Sequence, residues 1–192
     1  LVRHLILKLK KMIKKLYLLF LVISFTSYSQ KFDKKINELV SNYEMDVIEL
    51  RHWFHENAEL SNREFNTAKR IEQELIKIGL KPQIGIAKTG VVALLKGGKP
   101  GPVVALRADI DGLPVKERAD LPWKSEMIGE YNGETVPVMH ACGHDTHIAI
   151  LLGTAKILYE LKDKIPGTIK FIFLTAEEGA PSGEEGGAEL MV

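Results

Sequence analysis

The chain has a single cysteine, Cys142, among 192 residues. An internal disulfide framework is therefore excluded. Residues 1–29 have no acidic residue, while Arg3, Lys8, Lys10, Lys11, Lys14 and Lys15 all stand there. Their main apolar run, Leu16 to Phe25, is too short to cross a bilayer comfortably, since a spanning helix needs about 20 apolar residues. Net charge is nearly absent at +1, and residues 30–192 hold 20 basic against 25 acidic groups. A nucleic-acid footprint is thereby excluded from the body of the chain. Internal repeats and low-complexity segments are also missing. What remains is ordinary for a globular domain: 45% hydrophobic and 27% charged residues, in a chain long enough for a real core.

The one-sided charge of the N-terminus gives its first positive reading. Lys14-Lys15 make a basic flank, Leu16 to Phe25 an apolar core, and Ser27-Tyr28-Ser29 a small-x-small site before Gln30. The expectation is a signal peptide over 1–29, starting naturally at Met12, with residues 1–11 as upstream translation. The mature protein is then exported, periplasmic or secreted, and free of the membrane after cleavage. An uncleaved anchor or a buried helix is the alternative. An unpaired thiol in an oxidising compartment needs burial or a metal, which draws attention to Cys142.

Apolar residues every three or four positions predict a helix over 32–56, through Phe32, Ile36, Leu39, Val40, Tyr43, Val47, Leu50 and Phe54. A second helix is expected from Ser61, with Ser61 and Glu64 as a capping box and Gly79 as its stop. Val91–Leu95 and Val103–Leu106, separated by Gly97-Gly98-Lys99-Pro100-Gly101, predict a β-hairpin with a well-buried second strand. Residues 113–137, with Pro114, Pro122 and Pro137, read as a long loop over the site. A helix is expected over 147–161, and a buried strand over Thr168–Thr175. This order predicts an α/β sandwich with a mixed central sheet flanked by helices. The apolar stripe opening at Gly186 is unfinished at Val192, so the chain is expected to be a fragment.

The chemistry concentrates in Met139-His140-Ala141-Cys142-Gly143-His144-Asp145-Thr146-His147. Thiolate, imidazole and carboxylate are what a divalent transition metal prefers. Cys142 and His144, at i and i+2, aim at one point if the loop is extended. Asp145 is a possible acceptor behind them, while His140 and His147 serve more readily as core or pocket residues. Asp109 and Asp111 follow the strand 103–108, where polar groups face the cleft of an α/β fold. Either is suited to ligate a metal or to hold a histidine tautomer, and Asp-Gly-Leu-Pro is also a good turn. Glu177 and Glu178 follow the last strand. One of such a pair can bind metal while its neighbour serves as general base.

Four stretches together resemble the M20 family of metallo-amidohydrolases, in its aminoacylase, hippurate-hydrolase and auxin-conjugate-hydrolase branch. They are RHWFHENAELSNREFNTAKRIEQEL (51–75), LRADIDGLPVKE (106–117), MHACGHDTHIAILLGTAKIL (139–158) and FLTAEEGAPSGEEGGAELM (173–191). The resemblance implies a zinc-peptidase-like α/β catalytic domain over 30–192, interrupted further on by a lid domain that often forms homodimers. It implies two divalent metal ions (Zn, Mn, Co or Ni), with Cys142, His144 and Glu178 as ligands. Glu177 becomes the general acid/base and Asp111 an orienting residue. Further histidine ligands are expected beyond Val192. Thr175-Ala176 departs from the Gln-Pro pair common before the glutamates, without touching the ligands. The implied reaction is hydrolysis of an N-acyl amino acid amide. A dipeptidase or carboxypeptidase of the same family, a Cys142 nucleophile and a non-catalytic binding protein remain as alternatives.

Overall fold

A computed structural model describes residues 2–191. The chain divides into two units, Leu1–Asn42 and Tyr43–Val192. The first is the N-terminal part of a single helix, α1 (Val2–Glu56). The side chains of the expected leader core and cleavage site, from Leu16 to Ser29, lie outside the described residues. No helix among the described residues is long and apolar enough to cross a membrane.

The second unit holds the mixed α/β architecture. After the C-terminal part of α1 come α2 (Phe65–Ile78), β1 (Gln83–Ile86), β2 (Gly90–Lys96), β3 (Lys99–Asp109), β4 (Ile128–Tyr131), β5 (Glu134–Pro137), α3 (His144–Glu160), β6 (Pro166–Leu174) and α4 (Gly187–Leu190). Alternation along β2 and β6 turns Val91, Ala93, Leu95, Phe171 and Phe173 to one face. There they meet Ile71 and Leu75 of α2 and Ile148, Leu152 and Ala155 of α3. Burying each large side chain contributes roughly 1.5–3 kcal/mol, so this one layer accounts for most of the cohesion.

The sheet order corrects the expected hairpin. The order is β1-β2-β6-β3, so β6 separates the two strands that were to pair. It runs antiparallel to β2 and parallel to β3. The Gly-rich link is a close backbone approach rather than a tight turn. Gly97 donates to the Gly167 carbonyl at 2.8 Å, and a Cβ on Gly97 would fall 2.2 Å from the Ile165 oxygen. The expected burial of the second strand is corrected too. Val103 and Val104 of β3 are exposed and burial begins only at Ala108, because β3 pairs along one edge alone among the described residues.

Three local expectations also change. Residues 113–137 contain the β4–β5 hairpin, turned by Asn132-Gly133 with φ of 52° and 82°. That Asn-Gly pair is a strong hairpin signal that the loop reading passed over. Helix α3 starts at His144, three residues early, with Gly143 in the left-handed region (φ 92°) at its N-cap. The capping box does not form: α2 begins at Phe65 with Glu64 at its N-cap, and neither the Ser61 nor the Glu64 side chain bonds a helix N–H. Its first free N–H groups, on Asn66 and Thr67, are satisfied by the Glu59 carboxylate at 3.2 and 2.8 Å.

Candidate metal centre

Strand order explains why the chemistry gathers in one place. Parallel pairing puts the ends of β3 and β6 side by side, with Asp109 opposite Leu174. Asp109 and Asp111 therefore leave the sheet beside Glu177 and Glu178, and the start of α3 brings Cys142 and His144 to the same end.

The floor of the site is Asp111, 1% exposed. Its Oδ2 accepts from Ser61 Oγ at 2.6 Å and from the Glu178 backbone N–H at 3.0 Å. His144, 2% exposed, donates its Nδ1–H to the Asp111 backbone oxygen at 2.9 Å, with Asp111 Oδ1 at 3.2 Å. This fixes the tautomer and leaves Nε2 free, as a ligating histidine requires. Burial pulls the His144 pKa down, but Asp111 outweighs it and raises it to about 9. Burial works to raise the Asp111 pKa, yet His144, Ser61 and the Glu178 N–H bring it below the ordinary value.

Above the floor, ligand atoms of Cys142, His144 and Glu178 lie within 4.8 Å of one another. Glu178 Oε1 is buried and has no hydrogen-bond partner. A buried carboxylate oxygen without a donor is costly and calls for a cation. His144 Nε2 stands 3.8 Å from Glu178 Oε1 and 3.7 Å from Glu177 Oε2. Glu177 is more open, with Arg107 3.9 Å from its Oε1. Cys142 is exposed, and the Glu178 carboxylate beside it, with Glu177 and Asp109 nearby, raises its pKa. A catalytic thiol needs the opposite shift.

Asp109, His144 and His147 form a second group with ligand atoms within 4.8 Å. Asp109 also accepts from Arg107 at 2.7 Å, and His147 is half exposed. The two groups share His144, whose one free nitrogen can serve only one of them at a time. His140 joins neither. It is buried with both ring nitrogens unpartnered, and burial lowers its pKa to about 4.

Behind the site lies a network that includes Asp145, the acceptor expected behind Cys142 and His144, which turns instead to Arg51 and His55. Asp145 Oδ2 accepts from Arg51 Nε and lies 2.9 Å from His55 Nδ1. His55 Nε2 is 3.0 Å from Glu117, which also accepts from the Ser125 N–H at 2.6 Å. The end of α1, the start of α3 and the 113–127 segment are thus tied to one imidazole. Asp145 raises the His55 pKa, more than offsetting burial. Burial works to raise Asp145 and Glu117, yet His55, backbone N–H donors and the Arg51 charge together bring both below the ordinary value. The i, i+4 spacing of Arg51 and His55 on a helix was the available signal.

Residues 105–192 match a family model described as "Peptidase family M20/M25/M40". The chain is 44% identical to the N-acyl-L-amino acid amidohydrolase of Geobacillus stearothermophilus, over 83% of this chain and 40% of that protein. Over residues 105–192 the chain is similar to peptidase family M20. It is equally 44% identical to thermostable carboxypeptidase 2 of Saccharolobus solfataricus, over 83% of this chain and 38% of that one. Among solved structures it resembles a Bacillus subtilis dinuclear metal binding peptidase of the M20 family. The TM-score there is 0.65 at 40% identity, covering 72% of this chain and 37% of the other. The chain spans about two fifths of the length of the curated relatives it matches.

Proposed function

We propose that this chain forms the metal-binding part of an M20 amidohydrolase that cleaves N-acyl amino acids. The observation that carries the reading is the orphaned, buried Oε1 of Glu178 beside the free Nε2 of His144 and the thiol of Cys142. The S, N and O donor set fits a divalent transition ion such as Zn, Mn, Co or Ni, and the M20 relative described as dinuclear supports two ions. Such ions, when bound, supply Lewis acidity toward a water and an amide carbonyl. The residues supply everything else. Cys142, His144 and Glu178 hold the cation. Asp111 keeps His144 in the tautomer that exposes Nε2. Glu177, close to His144 but anchored by no hydrogen bond among those described, takes the water proton at its carboxylate and returns it to the departing nitrogen.

The amidohydrolase among the relatives supports N-acyl amino acids as substrates, and the carboxypeptidase supports short peptides as the second reading. The raised pKa of Cys142 weighs against a thiol nucleophile. The N-terminal charge pattern supports export with a mature start at Gln30, and a homodimer through a lid domain belongs to the same proposal.

The test uses the full-length protein on a panel of N-acyl amino acids and free-amine dipeptides, with chelation and metal re-addition. Release of amino acid from acylated substrates, lost on chelation and restored by metal, is the expected result. Faster cleavage of free-amine dipeptides would replace it with the peptidase reading, and chelator-resistant activity would overturn both. Protease protection places the protein outside the cytosol if export holds, and inside if it does not.

A further inference from the structure

Glu64 is fully buried, yet its side chain belongs to neither metal group and, although the residue stands at the N-cap of α2, bonds no N–H of that helix. Its carboxyl group sits between the start of β2 and the end of β6. Oε2 lies 2.5 Å from Thr89 Oγ1, and Oε1 lies 2.7 Å from Thr175 Oγ1. The two threonine oxygens lie 2.6 Å from each other. Oε1 also accepts the Ala176 N–H at 2.9 Å. Thr89 and Thr175 are as buried as Glu64.

Counting protons decides the state of this cluster. Three oxygen pairs are at hydrogen-bond distance, and each needs one proton between its members. Two threonine hydroxyls supply two. An ionised Glu64 supplies none and leaves one pair with lone pairs facing at close range. A protonated Glu64 supplies the third. The ring then closes in one sense: Glu64 Oε2–H to Thr89, Thr89 to Thr175, Thr175 to Glu64 Oε1. Oε1, now the carbonyl oxygen, uses its second lone pair for Ala176. Among the described residues no cation is paired with Glu64, and its charged neighbour Arg63 is bound to Glu184. Burial raises the Glu64 pKa against the hydrogen bonds that lower it.

Ala176 has φ of 48°, a left-handed conformation that L residues other than Asn and Asp seldom adopt. It immediately precedes Glu177. We propose that Glu64 is a positioning residue held as the neutral acid, closing a ring with Thr89 and Thr175 and fixing the Ala176 turn that aims Glu177. Its positioning half rests on the role given to Glu177 above. Thr175-Ala176 is therefore the part of the strand end that Glu64 grips.

The test uses the full-length, metal-loaded protein. Infrared difference spectra between wild type and Glu64→Gln at neutral pH should show a protonated carboxyl C=O band in wild type only. A carboxylate band in its place overturns the neutral acid. Thr89→Val, which removes the acceptor of the Glu64 proton, should shift that band, and an unmoved band overturns the ring. In kinetics, Glu64→Gln preserves both hydrogen-bond senses and should stay near wild type. Glu64→Ala should lose about 100-fold in kcat, the scale of a misplaced catalytic group, with KM and metal content unchanged. Should Glu64→Ala fail to fold, Thr175→Val gives the same reading: lowered kcat supports the turn's role, wild-type kcat overturns it. An inactive Glu177→Gln beside a fully active Glu64→Ala removes this inference alone. An active Glu177→Gln removes the role of Glu177 and the positioning half with it, while the spectra still decide the neutral acid.

Discussion

The floor and the rim of this site are built on opposite rules. On the floor, Asp111 and Glu64 are buried and hold two and three donor or acceptor partners respectively. On the rim, Cys142, His147 and Glu177 are exposed, and no hydrogen bond anchors the Glu177 carboxylate among those described. His144 belongs to both, with Nδ1 locked below and Nε2 free above. Hydrogen bonds are concentrated where they orient, and ligand atoms are left open where a cation and substrate must reach them. The rim is then unfavourable without a cation, because carboxylates, thiol and imidazole crowd within a few ångströms.

The comparison breaks most sharply at Glu177. Glu177→Gln should lower kcat roughly 10²- to 10⁴-fold. Thermal melting and metal content should stay at wild-type values, because nothing on the floor depends on this side chain. Next comes Asp111→Asn, which attacks the floor. It should weaken metal affinity about 10- to 100-fold through misorientation of His144. It should also lower stability, because a buried acceptor of the Ser61 and Glu178 donors changes. Metal titration and denaturation read the two effects separately, and a loss in one alone would blur the distinction between floor and rim.

A smaller effect is expected in the support behind the floor. The His55 pKa is raised in the folded protein. Its contribution is therefore complete below the ordinary imidazole range and lost as pH rises through the folded value. Asp145 and Glu117 are lowered. Their contributions are present above the ordinary carboxylate range and lost as pH falls through their folded values. Stability should peak between the two ranges, and His55→Gln should shrink the decline on the alkaline side, leaving the part that the raised pKa of His144 contributes. Denaturant midpoints against pH check this, and an unchanged alkaline limb would contradict it. Smallest is Glu59→Ala, which strips the true cap of α2 and should cost about 1 kcal/mol without changing metal affinity.

Periodicity carried the long helices and the strands β2, β3 and β6, because burying an apolar stripe is a local pattern, while the short β1, β4 and β5 bury too little to show one. Strand neighbours were not local. Gly97-Gly98 looks the same whether it turns a hairpin or lets β6 pass close by. The candidate ligands Cys142, His144 and Glu178, with Glu177 beside them, stood out because they lie in short runs of chemically distinctive residues. The groups behind them were not. Ser61 and Glu64 match a capping box, and only the fold sends one to Asp111 and the other to Thr89, Thr175 and Ala176. The β1–β2 connection escaped for another reason. Ala87 and Lys88 take positive φ values without a glycine to signal it.

The most direct test of the account is cobalt substitution of the full-length protein, followed by absorption. Wild type and Glu177→Gln should both show a thiolate-to-cobalt charge-transfer band, and Cys142→Ser should lack it. A band that survives in Cys142→Ser, or never appears in wild type, would contradict a cation held by Cys142, His144 and Glu178.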